Sequence, residues 1–549
     1  MTKHSNQNSN TRYSRLLIAA FVATLMLPAC VLIFTDGYSL LRALSAVLLP
    51  TGFYLLWSVA HKRSGMMVCW GLLWFILAAL QLVLLYMFGS SIVAVDMFTN
   101  LFTTNTNEAG ELLSNIWPMV MFVVALYVPV LGLAIHSLRQ GFVIAPATRR
   151  TAAVVGAVMV AVACATGQFN VFPFNVVENI YRSVAEQVKV RRYPTSSANF
   201  SYEAQCVAGA DQREIYVMVI GEASRAANWQ LYGYDRPTNP RLSTESNVVV
   251  YRNVLTQNNA THKSVPMILS SVSADNHAEI YERRGIVQLY KEAGFRTLVV
   301  SCQAPNRGLI QMMCDEADQT IYMNGLNDGA MLEPLREAIT ADTSDLFVVL
   351  HSYGSHFNYR ERYPDSFSRF TPDDDVSISK KNRERMVNAY DNTIVYTDWF
   401  LAEVISTLRQ TDACSAMFYC ADHGEDLYDD RRGRFLHSSP TITYYQAHVA
   451  CLGWYSDEWC AAYPAKAEAA IANTMAPATT HSVFHTVAQL APIESKYVKS
   501  EVSLVSDGFD CSVERHYLDD HCNARRFGDV GLRQEDWGQF AIKGITDLQ

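Results

Sequence analysis

The sequence predicts a multi-pass α-helical membrane anchor of five spans, joined to an α/β domain on the far side of the bilayer. Three observations carry this. Five apolar stretches crowd into the first 172 residues. Beyond them, short apolar runs alternate with helical signals and end in carboxylates, imidazoles and glycines. The charge is also divided: residues 1–150 hold nine Lys/Arg and four Asp/Glu, a net of +5, whereas the whole chain carries −9 and residues 151–549 therefore −14. A chain of 549 residues is too long for one core. No basic stripe of the nucleic-acid-binding kind is present.

The anchor occupies residues 1–172, with apolar stretches at about 16–34, 39–60, 66–88, 116–136 and 152–172. Each is near the roughly 20 residues that cross a bilayer. Four spans after the first argue against a cleaved signal peptide. Lys3, Arg12 and Arg15, then His61-Lys62-Arg63, then Arg139, Arg149 and Arg150 place the N-terminus and two loops in the cytoplasm. Five crossings then put the rest of the chain outside it. Arg42 is the one discordant charge. In the outward segment 89–115, Asn100, Thr104 and Glu108 recur every four residues, so a helix would bring them to one face.

Residues 173–210 read as a charged linker, 211–495 as the catalytic domain and 496–549 as a C-terminal extension. Alternating strand and helix signals predict a parallel sheet with crossover helices. The candidate strands are Ile215–Ile220, Thr297–Ser301, Leu346–His351, Ala416–Ala421 and His448–Gly453, and Lys380–Leu408 reads as a long helix. Nine of the twelve cysteines lie beyond the spans, which fits an oxidising compartment. Their odd number leaves at least one thiol free, with buried Cys420 or Cys451 as candidates, and Cys511–Cys522 reads as the favoured bridge.

The chemistry gathers at strand ends. In open α/β sheets, ligands bind beyond the carboxyl ends of the strands. The run Ala416–Ala421 stops at Asp422-His423-Gly424-Glu425, an oxygen and a nitrogen ligand suited to Zn²⁺. Ile215–Ile220 ends at Gly221-Glu222 and supplies a third candidate ligand. Asn258 to Met267 places small polar residues before a helix, whose N-terminus suits a phosphate. Thr261 and Ser264 are the candidate nucleophilic hydroxyls there, against the commoner use of such residues as N-caps. His356 follows the strand Leu346–His351, and His437 follows the Asp-His-Gly turn by a short loop.

Taken together, these pieces resemble the membrane-anchored phosphoethanolamine transferases of the alkaline phosphatase/sulfatase superfamily. The matching residues are Gly221-Glu222-Ala223-Ser224-Arg225-Ala226, Tyr232-Gly233-Tyr234, Thr261 with Ser264-Val265-Pro266, and Ala293-Gly294-Phe295. His351 with Gly354-Ser355-His356, Tyr390 to Ile394, Asp422 to Glu425 and Leu436-His437 also match. The resemblance implies an alkaline phosphatase/sulfatase-like domain in the bacterial periplasm, anchored in the inner membrane. It implies one Zn²⁺ on Glu222, Thr261, Asp422 and His423. Thr261 would attack phosphatidylethanolamine and pass phosphoethanolamine to lipid A or another envelope glycan. His356 and His437 would bind phosphate or a second Zn²⁺ and assist proton transfer. Arg307 would contact substrate, and Asn100, Thr104 and Glu108 would hold the ethanolamine head. The alternatives are a phosphodiesterase, a sulfatase or a phosphoglycerol transferase of the same superfamily. Ser264-Val265-Pro266-Met267-Ile268 lacks the arginine of the usual sulfatase modification motif.

Overall fold

The computed structural model describes residues 2–89, 92–98, 106–207, 210, 212–374 and 377–548, and the side chains of 2–9, 106–109 and 111–114 lie outside that description. Two compact units are present: Met1–Phe98, Asn107–Val184 and Asp430–Arg434 in the first, and Thr99–Thr106, Ala185–Asp429 and Phe435–Gln549 in the second.

The first unit is helical: α1 (Thr2–Thr35), α2 (Leu40–Val59), α3 (Ser64–Trp70), α4 (Leu72–Phe88), α5 (Thr106–Arg139) and α6 (Pro146–Ala165). Among the described residues, four helices are long and apolar enough to cross a membrane, and five if the bent pair α3–α4 counts as one. Large apolar side chains such as Trp70, Leu72, Leu73, Met121 and Phe122 are exposed, while others, among them Phe21, Leu25 and Phe75, are buried together with Ser14, Ser45, Ser58 and Gln81. Helices α2 and α6 meet through glycines. A Cβ on Gly52 would stand 2.7 Å from Gly156 O, and one on Gly156 would stand 2.9 Å from Gly52 O. Small residues permit such backbone approach between membrane helices. The third stretch bends by 52° where Gly71 interrupts the helix. The fifth ends at Ala165 rather than 172, where Thr166 and the left-handed Gly167 turn the chain. Most of the expected linker is one helix, α7 (Phe174–Ser196).

The second unit is built on a seven-stranded sheet. Its strands are β1 (Glu214–Gly221), β2 (Val248–Val250), β3 (Arg296–Ser301), β4 (Gln319–Tyr322), β5 (Leu346–His351), β6 (Cys414–Ala421) and β7 (Cys451–Tyr455). The spatial order is β2-β7-β6-β1-β5-β3-β4. Strands β6, β1, β5, β3 and β4 run parallel, whereas β7 and β2 are antiparallel additions at one edge. The sheet is therefore mixed rather than wholly parallel. The central strands β1, β5 and β6 are buried along their whole length, as unbroken apolar runs require. Tyr216, Met218, Phe347, Val349 and Phe418 belong to the main core.

Two helices frame the site: α8 (Thr261–Leu269) and α9 (Arg383–Arg409). The C-terminal residues are integral to this unit. Leu504, Val505 and Leu518 join the main core, while Phe540, Ile545 and Leu548 pack with Tyr444 in a second cluster. Leu518 donates its N–H to Gln257 O and accepts from Asn258 Nδ2, bracing the segment that leads into Thr261. The expected Cys511–Cys522 bridge is absent. Cys511 is exposed, and Cys522 Sγ donates instead to Glu186 Oε1 at 3.1 Å.

Candidate active site

Side chains from three loops converge at the carboxyl ends of β1 and β6. Glu222 follows β1 directly, and Asp422 and His423 follow β6. The two strands are parallel neighbours with Gly221 opposite Ala421, so the first residues beyond them emerge side by side. Asp422 N donates to Gly221 O at 2.9 Å, which carries the ladder one step past the strand. Thr261 arrives from a different direction, as the first residue of α8. Its helix has Ala260 at the N-cap position and no side-chain cap. The Thr261 hydroxyl is thus not engaged in capping. Its Oγ1 lies 3.3 Å from each Glu222 carboxylate oxygen and 3.0 Å from His423 Nε2. The Ser264 hydroxyl points elsewhere and donates to the Asp422 carbonyl at 2.6 Å. Of the two candidate hydroxyls, that of Thr261 faces the Glu222 carboxylate and the His423 imidazole, and that of Ser264 faces a backbone carbonyl.

The donor set suits a divalent cation. One ligand atom each from Glu222, His423 and His437 falls within 4.8 Å of the others. Asp422 Oδ1 accepts from the Ala223 and His423 amides, whereas buried Oδ2 has no hydrogen-bond partner and lies 3.3 Å from His423 Nε2. An orphaned buried carboxylate oxygen is costly unless something charged meets it. Protonation equilibria carry the same message. Burial pushes the Asp422 carboxyl up and holds the His423 imidazole down at about 4. Burial also holds His437 at about 4 and His356 at about 3. Each group is driven toward its neutral form, the expected result when charges are buried without a counter-charge. A bound cation inverts that balance and favours the carboxylate.

His437 is brought back over the site by a short ribbon in which Phe435–Leu436 pairs with Asp426–Leu427. Its ring centroid stands 4.1 Å from that of His423. Left-handed backbone at Leu436 and Ser438 flanks it, and Ala223 beside Glu222 is left-handed as well. Non-glycine residues in that region store strain of about 1–3 kcal/mol each, typically at functional sites. Buried Glu425 orients the imidazole: His437 Nδ1 and Glu425 Oε1 share a hydrogen bond at 3.1 Å. His356 stacks on Tyr353, and His437 and His423 are among the charges that depress its pKa.

Several supporting residues have no role in the sequence reading, although Arg225 lies within the Gly221–Ala226 motif. Arg225 is buried in an ion pair with Asp429 at 2.7 Å and donates to the Glu425 carbonyl. Asn259 Nδ2 donates to Ser439 O and Gln446 Oε1, and Gln446 Nε2 donates to Asp426 Oδ2 and Leu436 O. Asn and Gln in loops are too common to stand out, and only the folded chain reveals this net. Arg307 is not drawn in. It is exposed on a left-handed turn, and its backbone N–H donates to Gln311 Oε1. Asn100 and Thr104 lie outside the described residues, as does the side chain of Glu108, which falls in α5.

The sulfatase family profile matches residues 214–493, just over half of the chain. The chain belongs to the sulfatase family. Within that family it is similar to phosphoethanolamine transferase EptA of Escherichia coli (strain K12), with 31% identity over 313 residues, 53% of this chain and 55% of the relative. The chain thus spans about half the length of the curated relatives it matches. Among solved structures, the integral membrane lipooligosaccharide phosphoethanolamine transferase A from Neisseria meningitidis matches with a TM-score of 0.67 at 21% identity, covering 91% of this chain and 97% of that one. This likeness extends the shared fold through the N-terminal helices. The C-terminal periplasmic domain of EptC from Escherichia coli, in complex with Zn, matches with a TM-score of 0.52 at 23% identity over 60% of this chain and 97% of that domain.

Proposed function

We propose that this membrane-anchored sulfatase-family protein transfers phosphoethanolamine from phosphatidylethanolamine to an envelope glycan, most concretely lipid A or the lipopolysaccharide core. The observation that carries this reading is the Thr261 hydroxyl at the start of α8, 3.0 Å from His423 Nε2 and 3.3 Å from Glu222. The names of the relatives support the transferred group and the acceptor class. In this reading the catalytic unit faces the periplasm of the inner membrane.

Glu222, Thr261, Asp422 and His423 would hold Zn²⁺. Bound there, the ion supplies Lewis acidity, lowering the pKa of a coordinated hydroxyl and neutralising phosphate charge. The chain's own residues do the rest. Thr261 Oγ1 attacks phosphorus: an Oγ1–P bond forms, the P–O bond to diacylglycerol breaks, and the hydroxyl proton ends on the diacylglycerol oxygen. His437, steered by Glu425, is the group that delivers it. His356 and the α8 N-terminus bind the phosphoryl oxygens. In the second half, an acceptor oxygen attacks the same phosphorus, the Oγ1–P bond breaks and Thr261 regains its proton. Splitting one hard transfer into two is the usual gain of covalent catalysis. Asn100, Thr104 and Glu108 for the ethanolamine head, and Arg307 for substrate contact, are proposed on family resemblance.

The test is mass spectrometry of the Thr261 peptide after exposure to phosphatidylethanolamine without acceptor. It should carry one phosphoethanolamine. In Thr261→Ala, envelope modification should fall on the order of 10³-fold or more, with the protein still folded. Undiminished transfer by that variant would overturn the assignment. Hydrolysis of phosphodiesters without transfer would favour a hydrolase.

A further inference from the structure

We propose that Asp328 is a positioning residue for His356: its buried carboxylate fixes the loop from which the imidazole reaches the site. This role rests on the reading of His356 as a phosphoryl-binding group. Asp328 opens the turn Asp328–Met331, between β4 and β5, and is buried. The loop Ser352–Phe357 follows β5 and carries His356. Asp328 Oδ1 accepts from Tyr353 N at 2.6 Å, and Oδ2 accepts from Gly354 N at 3.0 Å. Each carboxylate oxygen thus takes one of two successive amides of this loop. The Cys302 thiol, just beyond β3, is a third donor. Burial and then the Asp328 carboxylate push that thiol up, so it keeps its proton.

The opposite side of the loop rests on the strand that delivers Glu222. Ser352 N donates to Ile220 O and Ser355 N to Glu222 O, both at 3.0 Å. A Cβ on left-handed Gly354 would stand 2.8 Å from Glu222 O and 2.9 Å from Glu222 N. The loop is therefore held between the Glu222 backbone and the Asp328 carboxylate. From it the Tyr353 ring stacks on the His356 imidazole, with centroids 5.3 Å apart and planes 15° apart. The Arg362 guanidinium lies 4.0 Å from the Tyr353 ring centroid, and its Nε donates to His356 O at 3.1 Å. Arg362 also favours the charged form of Asp328. Asp328 fixes the Tyr353 backbone, and the Tyr353 ring fixes the plane of His356.

An ionised carboxylate only accepts hydrogen bonds, which matches a pocket of converging donors. Asparagine has the same shape but one acceptor oxygen, and it turns an NH₂ group toward the remaining donor. Asp328→Asn therefore leaves one of the two amides unmet in a buried place, where an unmet donor is costly. The loop relieves this by moving, and His356 moves with it. Partners that orient a functional imidazole without touching the substrate act in this way.

The full-length, zinc-loaded protein tests this. Asp328→Asn should keep the wild-type zinc content and speed amide hydrogen exchange in the peptide that contains Tyr353 and Gly354. Its turnover of a soluble phosphodiester and its affinity for inorganic phosphate should each fall about tenfold. In a His356→Ala background the same substitution should cost less than about twofold, because the group it positions is gone. An equal loss in the two backgrounds overturns the proposal, since a residue that only supports the fold or Glu222 acts without His356. Wild-type turnover, phosphate affinity and exchange in Asp328→Asn overturn it too. If His356→Ala alone changes neither turnover nor phosphate affinity, the phosphoryl role of His356 falls and the positioning role falls with it. Should Asp328→Asn not fold, Tyr353→Leu removes the stack and leaves the carboxylate in place. It should show the same contrast, about tenfold against less than about twofold.

Discussion

Gly424 stands between the ligand pair and the supporting carboxylate, where a methyl group would sit 2.0 Å from Tyr445 O and 2.8 Å from Arg225 Cβ. The first obstacle is backbone and cannot swing aside. Gly424 N also donates to Gln446 O at 2.9 Å, which fixes the approach. Gly424→Ala should therefore destabilise the second unit by about 1–3 kcal/mol, the usual cost of overpacking, and displace His423. Calorimetry and metal content measured together would check it; a variant with the wild-type midpoint and full metal would contradict the steric argument. At this scale the sequence was informative about which polar side chains gather at the strand ends but not about their partners. Asp422 and His423 stood out as a polar pair ending an apolar run. Residue type alone left Thr261 and Ser264 open, the family resemblance favoured Thr261, and the folded chain turns the Thr261 hydroxyl to Glu222 and His423 and the Ser264 hydroxyl to a carbonyl.

Strand ends are where the elements do their work. Parallel β1 and β6 deliver Glu222, Asp422 and His423 because their register aligns Gly221 with Ala421. Long or fully buried elements were legible: the helix expected at Lys380–Leu408 is observed at Arg383–Arg409. Strands β2 and β4 were not, since they span three and four residues and are only half-buried. Short edge strands lack the apolar run or alternation that marks a strand in sequence. Another joint between elements carries a pH signature. Glu316 accepts from Tyr193 OH of α7 and from Gly285 N, both at 2.8 Å. Burial pushes its carboxyl up from 4.5 to about 7, against the lowering effects of these two donors, Arg284 and Lys291. Glu316 in turn raises the Tyr193 and Tyr202 hydroxyls and the Cys314 thiol. A raised carboxyl favours the folded state below its unfolded pKa and loses that contribution as pH rises through the folded value. Relative to wild type, Glu316→Gln should thus gain about 3 kcal/mol of stability between pH ~4.5 and ~8. Denaturant titrations of both proteins across that range would show parallel profiles if the carboxyl were not buried as described.

For the whole molecule, the sheet and every proposed zinc ligand belong to the second unit, while the apolar helices build the first. A fragment beginning at Ala185, where the second unit resumes, should fold and bind about one zinc per chain through a four-ligand site. It should still cleave a soluble phosphodiester. Transfer from bilayer phosphatidylethanolamine should drop by about 10²-fold or more, because anchoring raises the effective concentration of enzyme at its lipid. Elemental analysis and paired assays on soluble and vesicle substrates would test this. Equal loss on both substrates would show that the anchor supports the fold instead. Zinc removal by chelation should abolish both activities, and readdition should restore them.

By itself, the sequence determined the two-part architecture, because span length, charge asymmetry and buried apolar runs are local properties of composition. It also marked which strand ends carry polar clusters, since a polar cluster closing an apolar run is visible without a partner. Tertiary structure alone decided what faces what. It turned the α8 hydroxyl toward Glu222 and His423, set Glu425 behind His437, and wove the C-terminal residues into the support of Gln257 and Asn258. These are contacts between residues far apart in the chain. Their formation depends on strand order and register, which many sequences satisfy in different ways and which no local pattern encodes.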